Sequence, residues 1–192
     1  MAKAAAKKAQ AAGAERRPQL AGKEASFGTV KVTVLPPAER MSLRAPAPSV
    51  AALSNALQMI LPEAPRTSAH SKGRTVLWLG PDEWLVIDES GKDPLSEVAK
   101  VNILHSAVGI SHRNVAFLVS GKGAEDTLAA GCPQDLSLAA FPVGAATRTL
   151  LGKVEIVLLR TGNDAFRVEC WRSFSDYAFS FLTEAARDAA QG

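Results

Sequence analysis

A chain of 192 residues, 47% hydrophobic and 21% charged, is long enough to bury about 70% of the surface its unfolded form exposes, so neither disulfides nor a structural metal are required to hold it. No apolar run reaches the roughly 20 residues that span a bilayer, and the start of the chain has no hydrophobic segment of signal-peptide type, so a soluble cytoplasmic protein with reduced Cys132 and Cys170 is expected. The formal charge of +3 does not make a nucleic-acid binder: six basic and two acidic residues fall within positions 1–26, leaving 16 basic against 17 acidic in the rest.

Residues 1–26 are Ala/Lys-rich and read as a solvated, disordered arm, with docking to an acidic partner surface or organellar targeting as the other readings. Thr29 to Leu35 alternates threonine and lysine with valine, a half-buried strand ended by Pro36-Pro37, and Met41 to Arg44 is a candidate short strand. Pro48-Ser49 opens a helix with Val50, Leu53, Leu57, Ile60 and Leu61 on one stripe and Pro62 as its stop, and 62–73 reads as loop. Val76 to Trp78 and Trp84 to Asp88 flank the turn Gly80-Pro81-Asp82-Glu83, and Asp93-Pro94 opens a helix through Leu95, Val98 and Ala99. Val115 to Ser120 is apolar enough to be a strand buried on both faces. Ala124 to Ala130 is a short helix closed by Gly131 as a left-handed cap, and 132–145 is loop.

The stretch from Thr147 to Arg187 has the clearest pattern. Val154, Ile156 and Leu158 alternate with polar neighbours, Thr161-Gly162-Asn163-Asp164 turns the chain, and Phe166, Val168 and Cys170 alternate with Arg167, Glu169 and Trp171. Ser173 and Asp176 read as a capping box for a helix carrying Phe174, Tyr177, Ala178, Phe181, Leu182 and Ala185 on one face. Gly80 matches Gly162, Asp82 matches Asp164, Trp84 matches Phe166 and Val86 matches Val168, all at one offset, which indicates an internal duplication. The expected fold is α+β: two similar strand-helix-hairpin-helix halves, 27–109 and 110–188, with mainly antiparallel sheets related by a pseudo-twofold.

No catalytic constellation emerges from this pattern. His70, His105 and His112 lack a second ligand at metal spacing. Ser111-His112-Arg113 precedes a core strand and reads either as active or interface groups or as a polar loop satisfying its own backbone. Gly121-Lys122-Gly123 lacks the spacing of a phosphate loop, and no G-x-G-x-x-G follows a strand. Asp82, Glu83 and Asp164 sit in turns, where short polar side chains support the backbone. No catalytic, cofactor-binding or metal-binding residue is therefore assigned. If both hairpin faces are apolar, as Trp78, Trp84 and Trp171 suggest, the outer face needs a cover, from a second layer of the fold or from a partner subunit.

The segments VAFLVSGKGAEDTLAAGCPQDLS and TRTLLGKVEIVLLRTGNDAFRVECWRSFSDYAFSFLTEA, with the earlier LGPDEWLVID, resemble the gamma subunit of bacterial heterotetrameric sarcosine oxidase over about residues 27–188. More distantly, Val119 to Glu125 through Asp135-Leu136 is similar to the amino-terminal half of the folate-binding aminomethyltransferase of glycine cleavage. The resemblance implies a complex with alpha, beta and delta subunits that oxidatively demethylates sarcosine to glycine, with formaldehyde or 5,10-methylenetetrahydrofolate and hydrogen peroxide as products. It places FAD, FMN, NAD, tetrahydrofolate and zinc in the partner subunits and none in this chain. The chain lacks the K-G-C-Y-x-G-Q-E type signature of stand-alone folate-dependent relatives. The alternative is a small folate-binding or aminomethyltransferase-like protein acting alone, with Arg113, Arg148 or Arg160 meeting a glutamate tail in the crevice between the halves.

Overall fold

The computed structural model describes residues 20–191. Most of the basic arm thus lies outside the described residues, but its last part does not. Leu20 is buried, and Glu24–Phe27 forms a strand, β1, paired antiparallel with β2 (Val30–Val34). The folded part therefore begins earlier than the composition shift at residue 26 suggests. The sequence EASF alternates polar and apolar over only four residues, too short a run to declare a strand, and takes its conformation from β2.

The first half contributes β3 (Glu39–Arg44), α1 (Val50–Leu57), β4 (Ser68–Ser71), β5 (Arg74–Gly80), β6 (Glu83–Asp88), α2 (Pro94–Val98) and β7 (Ser106–Gly109). The second contributes β8 (Asn114–Ser120), α3 (Ala124–Ala129), β9 (Ala146–Leu151), β10 (Val154–Gly162), β11 (Ala165–Trp171) and α4 (Ser175–Ala189). All strand pairs are antiparallel, in a six-stranded sheet of order β1-β2-β8-β11-β10-β9 and a five-stranded sheet of order β4-β5-β6-β3-β7. The duplication is visible in the hairpins. Pairs Trp78↔Trp84 and Arg160↔Phe166 precede the turns, and each ladder shifts register there, between Trp78 and Gly80 and between Arg160 and Gly162.

The sheets do not divide at residue 110. β2, which leads into the first half, pairs with β8 of the second, and β7, which leads into the second, pairs with β3 of the first. By its pairing β7 is the counterpart of β2 and heads the second repeat, so the repeat boundary falls before Ser106, and each repeat lends its leading strand to the other's sheet. The bounds 27–109 and 110–188 therefore do not mark the two hydrogen-bonded bodies, because the open edges of β3 and β8 are each closed by a strand from across the pseudo-twofold.

The layers run helix, sheet, sheet, helix. Phe117, Val119, Ile156, Leu158, Phe166, Val168 and Cys170 face Leu128 of α3 and Ala178, Leu182 and Ala186 of α4 in one core. Met41, Leu43, Val76, Trp84 and Val86 face Val50, Leu53 and Leu57 of α1 and Val98 of α2 in a second. Leu77, Leu85, Ile87, Ala146 and Leu159 make the third core, between the sheets. The hairpins are apolar on both faces because each sheet covers the other, so the fold itself supplies their second layer.

Several local expectations are corrected. α1 ends at Leu57, not at Pro62: Gln58 takes the left-handed conformation at φ 51°, its N–H donating to Asn55 and Ser54 carbonyls, which turns Ile60 out to 78% exposure. Gly131 is not a left-handed cap. A Cβ there would lie 2.4 Å from Phe181 Cζ, so glycine is needed for close packing, and Gly131 O accepts from Gly152 N. Ser173 makes no capping bond. A short 3-10 turn, Arg172–Phe174, leads into α4 and Ser175 Oγ donates to Arg172 O. The 62–73 segment holds β4, an edge strand whose sequence SAHS carries no apolar period. Asp93 caps α2 as expected, accepting from Leu95 N at 3.0 Å.

Candidate functional site: the inter-sheet cleft

Chain direction places the connections β2–β3, β6–α2 and β7–β8 at one end of the two sheets. There they enclose a cleft of about 390 Å³. Its lining is apolar at Val34, Leu35, Pro36, Pro37, Val115 and Ala116 and polar at Glu39, Arg40, Asp88, Glu89, Ser111, His112 and Arg172. Its size suits a small ligand. Whether it can do chemistry depends on what its charges already touch.

The alternation of β3 and β11 brings Arg40 and Glu169 onto the facing inner surfaces, where both are buried. Arg40 Nε donates to Glu169 Oε2 at 2.7 Å and Nη2 to Oε1 at 3.2 Å, while Nη1 donates to Ala38 O at 3.0 Å. The same carboxylate accepts from Arg167 Nε at 2.9 Å, and Arg167 Nη1 reaches Glu89 at 2.6 Å. Burial opposes the charge on Arg167, but Glu169 and Glu89 outweigh it and hold the guanidinium above its ordinary range. Glu39 accepts from Ser111 Oγ at 2.6 Å, and Ser111 Oγ accepts in turn from Arg40 N at 2.8 Å. Asp88 is spent as well. Burial alone would raise its pKa, yet bonds from Ser90 and the Arg74 guanidinium at 2.7 Å hold it below the usual carboxylate range.

The cleft's acids and its buried arginine are thus committed to one another, which is the arrangement of a structural network. Energies make the same point. Leu77, Leu85, Ile87 and Leu159 each contribute about 1.5–3 kcal/mol by burial. Breaking a buried ion pair costs about 3–5 kcal/mol, so one orphaned arginine offsets two of those side chains.

Of the residues singled out from the sequence, Ser111 and His112 line the cleft, and His112 is exposed. His70 Nδ1 pairs with Thr75 Oγ1 and His105 Nδ1 with Ile103 O, each beside its own strand or loop. Among the described residues no group of three or more His, Cys, Asp or Glu is placed to hold a metal ion. Gly121, at φ 103°, would put a Cβ 1.6 Å from Thr29 O, so the Gly-Lys-Gly turn lets β8 pass the β1–β2 turn and does not cradle phosphate. Asp82 pairs with Arg44 and Glu83 with Arg148, while Asp164 O accepts from Gly121 N. Trp84 is buried with Nε1 donating to Pro62 O, and Trp78 is half-buried. Cys132 and Cys170 are free and buried, the latter pushed up to about 12 by burial and by Glu169.

The three arginines considered for a glutamate tail are not brought together. Arg160 is buried, donating to the carbonyls of Leu136, Phe141, Gly162 and Asn163 and lying over the Phe166 ring. Arg148 bridges to Glu83 of the other sheet, and Arg113 stacks on Trp171 at 4.0 Å. These residues do not fit a folate. What the sequence missed is the Arg40–Glu169–Arg167–Glu89 network. Its signal was there in the uninterrupted apolar run of β6, WLVI, which implies a second covered face and makes the charges across from it buried ones.

A profile of the family described as sarcosine oxidase, gamma subunit, matches residues 43–188. The chain is 30% identical over 182 residues to a sarcosine oxidase subunit gamma from Corynebacterium sp. (strain P-1), covering 92% of this chain and 90% of that one. It is 31% identical over 143 residues to the corresponding subunit from Arthrobacter sp., covering 73% and 70%. Among solved structures it superposes on a chain of the heterotetrameric sarcosine oxidase from Corynebacterium sp. U-96 with a TM-score of 0.80 and 29% identity, over 86% of this chain and 88% of that one. The glycine cleavage aminomethyltransferase T from Bartonella henselae shares the fold, with a TM-score of 0.60 at 14% identity over 84% of this chain and 50% of that one.

Proposed function

The chain belongs to the sarcosine oxidase gamma subunit family, and from that membership we propose that it is a non-catalytic subunit of a heterotetrameric oxidase that demethylates sarcosine to glycine. Its partners are the alpha, beta and delta subunits, which carry the flavins, NAD, tetrahydrofolate and zinc, in the cytoplasm. The likeness along nearly the full length of a gamma subunit supports the subunit role.

One observation carries the non-catalytic part. Glu39, Arg40, Asp88 and Glu89, which line the cleft, are each bonded to another protein group, and Arg167 and Glu169 bond to them from behind, which is the wiring of a structural network and not of an acid–base set. Absence of a membrane-crossing helix among the described residues accords with an assembly in aqueous solution. Assaying sarcosine-dependent peroxide formation tests the reading. The purified chain is expected to be inactive at any concentration, and co-expression with its three partners to give activity. Turnover by the chain alone contradicts it.

A further inference from the structure

We propose that Arg113, Trp171 and Phe174 form a ledge at the rim of the cleft on which another subunit of the oxidase docks, placing a carboxylate against Arg113 and an apolar side chain against Trp171; this rests on the subunit reading above.

Trp171 and Phe174 are each 40% exposed, with rings 6.0 Å apart and 23° from parallel. Arg113 caps the stack, its guanidinium carbon 4.0 Å from the centre of the Trp171 ring. The backbone fixes this geometry, since Arg172 N donates to Arg113 O and Arg113 N to Ile110 O. Asn114 and Arg172, the chain neighbours of Arg113 and Trp171, line the cleft, so the ledge is continuous with it.

The charge on the ledge specifies the occupant. Arg40, Arg44, Arg74, Arg148, Arg160, Arg167 and Arg187 all have carboxylate partners. Arg113 makes no ion pair among the described residues and holds its donors in place by stacking. A pre-oriented guanidinium beside an aromatic face matches a carboxylate flanked by an apolar side chain. A second copy of this chain is disfavoured, because a two-fold contact of ledge on ledge offers Arg113 no carboxylate, Arg113, Trp171 and Phe174 carrying none. Exposed Trp and Arg in one cluster is also the composition of interface anchors. Neither fold nor repeat requires it: the position matching Trp171 in the first hairpin is Glu89, which turns to Arg167 of the same chain.

The test uses the co-expressed four-subunit assembly. With p-benzoylphenylalanine in place of Trp171, illumination is expected to link this chain to a peptide of another subunit containing Asp or Glu. Arg113→Glu and the double variant Trp171→Ala with Phe174→Ala are expected to weaken association about tenfold or more, while Lys100→Glu on the α2 side leaves it unchanged. Circular dichroism checks that the variants fold, and the cross-link does not depend on them. The inference is overturned if the parent assembly forms and these variants join it equally well, or if the link maps to a second copy of this chain or to no subunit. A parent chain that does not assemble at all overturns the subunit reading, and this inference with it.

Discussion

Arg40 and Glu169 join the two sheets through a doubly bonded, fully buried ion pair, Nε to Oε2 at 2.7 Å and Nη2 to Oε1 at 3.2 Å. Arg167 shares the same carboxylate, and Glu89 supplies the second negative charge that balances the two guanidinium groups. Replacing Glu169 by Gln leaves Arg40 without a counter-ion and Arg167 with Glu89 alone, and a loss of about 3–5 kcal/mol is expected in denaturant unfolding. The double variant Arg40→Met with Glu169→Leu retains one apolar contact in place of the pair and is expected to recover part of that loss. A single-variant loss below about 1 kcal/mol would mean water reaches the pair.

Arg160 stitches the 132–145 loop to the β10–β11 turn by donating to four carbonyls. Arg160→Ala is expected to cost about 3 kcal/mol, since buried acceptors lose their donor. Limited proteolysis should then cut first within 132–145, whereas the parent chain resists there.

Gly121→Ala tests a close approach. Its Cβ would overlap Thr29 O at 1.6 Å, and φ is 103°, so a loss above about 4 kcal/mol or failure to fold is expected. Gly22→Ala, at φ +72° with nothing within 4 Å, is the control for backbone strain alone and should cost about 1 kcal/mol.

Asp88 sets an acid limb. Its folded pKa lies below the unfolded value, because Ser90 and Arg74 outweigh the burial that opposes them. The unfolded chain therefore binds the proton first, so the stabilisation is complete above the unfolded pKa of about 4 and is lost as pH falls through the folded value. Asp88→Asn should lower stability at neutral pH and flatten the acid limb of a stability profile. Cys170 has the opposite sense. With its thiol pushed up to about 12, the unfolded form ionises first, so stability should fall as pH rises from the unfolded pKa of about 8.5. At pH 8 Cys170 should resist alkylation until the chain unfolds.

Much of the fold was legible because the relevant patterns are local. The alternation in Val154 to Leu158 and Phe166 to Cys170, and the matched turns at Gly80 and Gly162, depend only on neighbours in sequence. β1, β4 and β7 were not legible, since EASF, SAHS and SAVG are edge strands whose conformation is set by the strand beside them. The exchange of leading strands is a relation between distant segments, and no local signal encodes it. At the cleft, Ser111 and His112 were found through their polarity ahead of a core strand. Arg40 and Glu169 were not, because a charged residue in an alternating strand looks solvent-facing until the opposite sheet is known to cover it.

Native mass spectrometry of the tagged chain purified after co-expression with the three other oxidase subunits tests the account most directly. Integration into a yellow complex with one copy of each subunit, and a colourless, inactive chain when expressed alone, is the expected result. A chain that remains apart from those subunits, or that alone retains a flavin or oxidises sarcosine, would contradict it.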